Sequence, residues 1–137
     1  MNNHPYLRAY MAGIMVPTPF LLVVITGFCI ARYVINIPIP IERVIMFPMA
    51  VVPNLWGLWN VLYLALRTRF NLPLGAHGAV LPFMLAPFAY LAARIFDFQI
   101  PGVIHYAFPI GFPIAVIVYY LVWKHLVGYL NRVLSIA

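Results

Sequence analysis

The sequence predicts an all-α membrane protein, a four-helix transmembrane bundle with proline-kinked spans. Three observations predict it. Apolar residues make up 66% of the chain and charged residues 7%, against roughly 25% charged in ordinary soluble domains. With 8 basic and 2 acidic side chains among 137 residues, a water-exposed surface could not be covered, so lipid is the solvent for most of it. The apolar residues also fall into four runs near the ~20 residues that cross a hydrocarbon layer ~30 Å thick. Finally, each run carries two prolines in its N-terminal half, a frequency that membrane helices tolerate better than soluble ones.

Residues 1–9 form a short polar arm with one charge, Arg8. The first span is expected over about 10–33, with Pro17 and Pro19 early and Arg32 at its far end. Its long apolar run without a small-residue cleavage signature reads as a retained signal anchor. Asn36 to Arg43 makes a short extended connection, because Pro38 and Pro40 favour polyproline geometry. The second span, about 42–66, holds FPMAVVPNLWGLWNVLYLALR from Phe47 to Arg67. Arg67, Arg69, Asn71, Pro73 and Gly75 mark the next loop. The third span, about 78–96, contains Pro82 and Pro87 and ends at Arg94 and Asp97. Pro101–Gly102 turns the chain. The fourth span, about 104–124, ends in an aromatic belt, Tyr119, Tyr120 and Trp123, followed by Lys124 and His125. An interfacial helix over about 125–135 is expected to follow, with Leu126, Leu130, Val133 and Leu134 sharing one side.

The basic residues set the expected orientation. Arg8, Arg67, Arg69, Lys124 and Arg132 fall on one side, and Arg32, Arg43 and Arg94 on the other. The surplus places both termini in the cytoplasm of a bacterial-type inner membrane. These cations flank spans singly, so no nucleic-acid partner is expected. The spans also hint at a tandem 2+2 helix repeat. GIMVP and GAVLP open the first and third, and FPMAVVP and FPIGFP lie in the second and fourth.

Two groups of residues are candidates for function. The first is a polar seam on the second span. Asn54 lies near mid-span, just after Pro53, and Trp56, Asn60, Tyr63 and Arg67 recur at helical spacing on one face. Gly57 leaves room for a second helix to come close. Such a face either lines a solute path or packs helices through amide hydrogen bonds. The second group is an outer-rim cluster of Arg32, Glu42, Arg43, Arg94, Asp97 and His105. It anchors spans in the headgroup layer or forms a charged vestibule.

No HExxH, GxSxG, P-loop or CxxCH pattern occurs. The one cysteine, Cys29, excludes a disulfide within one chain. Neither catalysis, a cofactor nor a metal is therefore expected. No carboxylate sits mid-span, which argues against an acid-driven proton pump. Four thin helices leave little internal room, so a pathway would form between subunits. The expected function is a homo-oligomeric facilitative transporter or channel for a small solute. The alternative is a non-catalytic accessory subunit of a larger membrane complex.

Overall fold

The computed structural model describes residues 4–97 and 99–136. It is 84% helix, with no strand among the described residues. Four helical stretches are long and apolar enough to cross a membrane: Pro5–Tyr33, Ile41–Phe70, Leu74–Ile95 and Val103–Val133, with mean hydropathies of 2.2, 1.4, 1.5 and 1.7.

The first stretch consists of α1 (Pro5–Met15) and α2 (Pro17–Tyr33), joined by Val16 in a right-handed helical conformation. Its two threonine hydroxyls bond back to the backbone. Thr18 Oγ1 donates to the Ile14 carbonyl at 2.5 Å, and Thr26 Oγ1 to that of Leu22 at 2.8 Å. Each thus has a partner without help from water.

The second stretch contains a break. A short helix α3 (Ile41–Val44) leads into an irregular wide turn, Ile45–Ala50, and then α4 (Val51–Phe70). Phe47 has extended angles, φ −140° and ψ 123°. The physical reason is Pro48, whose ring crowds the preceding residue out of the helical region. Pro48 then restarts the helix where a missing N–H costs least. By contrast, α5 (Leu74–Ile95) remains helical through Pro82 and Pro87, and α6 (Gly102–Val122) through Pro109 and Pro113. After α6 a wide π turn, Trp123–Val127, passes directly into α7 (Gly128–Val133). The tail set apart by sequence over 125–135 therefore continues the fourth helix as far as Val133.

Helices end on short polar residues. Asn36, Asn71, Asp97 and Ser135 adopt left-handed angles, with φ of 62°, 45°, 53° and 54°. Asn and Asp tolerate this region because their side chains bond locally. After α7, the Ile136 N–H donates to the Asn131 carbonyl at 2.8 Å, closing the helix end.

The chain divides into two compact units, Met1–Val61 and Leu62–Ala137, with the boundary inside α4. Each holds a crossing of antiparallel helices at a glycine. In the first unit, a Cβ on Gly13 would lie 2.5 Å from the Trp56 carbonyl oxygen and 2.7 Å from Gly57 Cα. A Cβ on Gly57 would meet the Tyr10 ring at 2.5 Å. Ala9 and Ala12 are fully buried beside this contact. In the second unit, a Cβ on Gly78 would lie 2.0 Å from Trp123 Cγ, and one on Gly75 2.9 Å from the Tyr120 ring. Further along the same pair of helices, Phe83 meets Phe112 edge-on at 4.9 Å between centroids. In lipid no hydrophobic force draws helices together, so contact depends on small residues that let backbones approach.

This packing generates a test. Gly78→Ala should lower unfolding stability in mild detergent by about 1–3 kcal/mol through overpacking, and Trp123→Ala in the same chain should recover part of that loss. Gly27→Ala, where an added Cβ meets nothing within 4 Å, should leave stability unchanged or slightly raised.

Candidate functional site

In the first unit the polar seam closes on its own helices. Asn60 is 1% exposed, and its Nδ2 donates to the Ala9 carbonyl on α1 at 2.8 Å. Trp56 and Gly57 complete the buried strip along α4. The geometry follows from the glycine crossing: α1 comes near enough for an amide on α4 to reach its main chain. Asn54 lies on the exposed side of α4. Its Nδ2 donates to the Ala50 carbonyl at 2.7 Å, and its Oδ1 accepts from the Tyr10 hydroxyl. Pro53 sits at the third position of α4, five residues after the restart at Pro48.

In the second unit the end that carries Arg67 is built from aromatic and polar groups. Tyr63 and Arg67 are half-buried on the last turns of α4. His77, in the first turn of α5, is 5% exposed. Its ring lies 5.3 Å from that of Tyr63 and 5.9 Å from that of Trp123, the latter edge-on. Arg67 Nη1 donates to the Ile136 carbonyl at 2.7 Å. Tyr63, Leu66, Arg67, Phe70, Leu72 and His77 line a cavity of about 370 Å³. Trp123, Val127 and Asn131 form the buried face of the helix beside it.

Sequence reasoning missed part of this arrangement. Trp123 was expected in an interfacial belt but is fully enclosed by protein. Asn131, 1% exposed, was not singled out. The available signal was the four-residue spacing of Trp123, Val127 and Asn131, which places them on one face. His77 falls between the loop marked by Gly75 and the span expected from 78, and was not singled out either. The flanking Gly75 and Gly78 carry the information that a helix passes close by.

The outer-rim residues separate into two groups. Arg32, Glu42 and Arg43 belong to the first unit, and Arg94, Asp97 and His105 to the second. Arg32 Nη1 donates to the Ile39 carbonyl, tying the connection between the first two spans to α2. Glu42 and Arg43 are exposed on α3. The Arg94 guanidinium lies 5.7 Å from the centroid of the Tyr90 ring. Asp97 takes the left-handed position that ends α5. His105 is exposed on α6 and, with Tyr90, Phe108 and Ala86, Ala89 and Ala93, lines an apolar cleft of about 430 Å³. Among the described residues no three of His, Cys, Asp and Glu gather as a metal site.

The four apolar helices fit a small membrane protein. Compared with family models, curated proteins and solved structures, the chain has no match.

The Asn60–Ala9 bond is testable. Asn60→Leu removes the interhelical bond to the Ala9 carbonyl and should cost about 1–2 kcal/mol of stability in detergent. Tyr10→Phe, which keeps the ring and removes one bond to the exposed Asn54, should cost less. Equal stabilities for Asn60→Leu and the parent chain would show that the amide does not hold the two helices.

Proposed function

We propose that this chain is a facilitative transporter or channel that works as a homo-oligomer and passes a small uncharged polar solute. The observation that carries this reading is the Asn54–Tyr10 pair. It joins the exposed Asn54 amide to the half-buried Tyr10 phenol in the first unit, 11 residues after Arg43 and 13 before Arg67 in the sequence, and so in the middle of the second apolar stretch. At that depth polar groups face water or protein rather than acyl chains. The cavities found in either unit have mainly apolar linings, so the pathway is assigned to the face that carries Asn54, completed by a second copy. Amides and hydroxyls without a mid-span charge suit a neutral solute. Asn60 serves this pathway indirectly, by holding α4 on α1. In this reading both termini lie in the cytoplasm.

A second reading is supported by the large apolar surface. Within the most apolar window of each long helix only 6–17% is buried, which suits a non-catalytic subunit covered by a larger membrane complex. Recovery of an unrelated protein at fixed stoichiometry from native membranes would favour it.

Flux separates the two. Proteoliposomes made with the purified chain should shrink and recover faster than protein-free vesicles in glycerol or urea gradients, and Asn54→Leu should remove most of that difference. Permeability no greater than that of empty vesicles would refute the transport reading for these solutes.

A further inference from the structure

We propose that the cavity beside Arg67 in the second unit binds the phosphate group of an anionic phospholipid, with Arg67 as its ligand. The inference stands on the membrane character of the chain and is independent of transport.

Position comes first. The cavity lies where α4 ends and α5 begins, around Phe70, Leu72 and the turn at Asn71. Ends of spans are where lipid headgroups sit. Its lining is mainly apolar, which suits the hydrocarbon part of a lipid, and includes three residues with polar side chains. Arg67, His77 and Tyr63 bring polar atoms, while Leu66, Phe70 and Leu72 present a hydrocarbon wall.

Charge makes the argument specific. Arg67 is the cation of the lining, and Asp97 is the only acidic side chain of the unit. Asp97 lies at the opposite end of α5 from His77, 20 residues away (97 − 77), or roughly 30 Å along a helix. No carboxylate side chain of this unit therefore neutralises Arg67. Lys124 stands at the His77 end, since a Cβ on Gly75 would lie 3.2 Å from Lys124 Cβ, and it adds positive potential there. The guanidinium is also held in place. One N–H is donated to the Ile136 carbonyl, which leaves the rest of the planar fork for a phosphate. Basic pockets between spans recognise anionic headgroups in this way. A zwitterionic lipid carries its own cation and would bring it toward Arg67.

Native mass spectrometry of the purified full chain in detergent tests this, titrating phosphatidylglycerol, phosphatidylcholine and inorganic phosphate separately. The expected result is retention of phosphatidylglycerol about fivefold above phosphatidylcholine, with inorganic phosphate unable to displace it at equal concentration. Arg67→Gln should reduce retention to the phosphatidylcholine level. Arg132→Gln, which removes an equal charge from an exposed position outside the cavity, should leave it near the parent value. Leu72→Trp fills the cavity with Arg67 intact and should also abolish the preference, which keeps the test decisive if Arg67→Gln does not fold. Equal retention of both lipids, an unchanged preference in Leu72→Trp, or displacement by inorganic phosphate at equal concentration would overturn the assignment. Alkaline extraction of native membranes distinguishes this failure from a failure of the membrane reading, because a spanning chain stays in the pellet whichever lipid it prefers.

Discussion

Close approach of backbones at glycine is the constraint on which both units depend. Lipid is as apolar as the side chains it surrounds, so burying leucine or isoleucine gains little. Stability has to come from dispersion contacts and from hydrogen bonds that lipid cannot offer. Both need short distances. At Gly13 the space for a Cβ is taken by the main chain of Trp56 and Gly57, and at Gly78 by the Trp123 side chain. The Asn60 amide reaches the Ala9 carbonyl because the first of these crossings exists. Trp123 is fully enclosed because the second does.

The two units apply the device with different chemistry. In the first, main chain meets main chain, and a single amide fixes the contact. In the second, a large indole fills the space above glycine, and the His77 ring lies edge-on to it. The glycines of GIMVP and GAVLP are the ones at these crossings, so the short sequence likeness coincides with a shared packing role. Proline is less uniform. At Phe47–Pro48 the backbone leaves helical angles, while α5 and α6 pass through two prolines each. A proline removes one donor wherever it falls. Whether the helix then breaks depends on the residues packed around it, which local sequence does not contain.

The helical class and the four apolar stretches were legible because composition alone decides the solvent. The strip Trp56, Gly57 and Asn60 was legible too, through helical spacing. Their partners were not. Asn60 bonds a carbonyl 51 residues away, and Asn54 a hydroxyl 44 residues away. A backbone carbonyl acceptor such as that of Ala9 leaves no mark in the sequence. The seam was read as either a solute path or a packing contact. In the structure its members differ: Asn60 is buried against α1, and Asn54 is exposed with a hydroxyl partner. The rim cluster was drawn from the shared position of its members at span ends. Position along a helix gives depth but not neighbours, and its members divide between the units, with Arg32 held by a carbonyl and Arg94 set against a tyrosine ring.

The central claim is that hydrocarbon surrounds the exposed apolar faces of these helices. A spin label at Ile114, 55% exposed in the middle of α6, reports on it most directly, with Cys29 replaced by serine and the protein in lipid bilayers. The account predicts strong relaxation by dissolved oxygen, which concentrates in acyl chains, and weak relaxation by a water-soluble nickel chelate. Strong relaxation by the chelate and weak relaxation by oxygen would mean that water wets this face, and would contradict it.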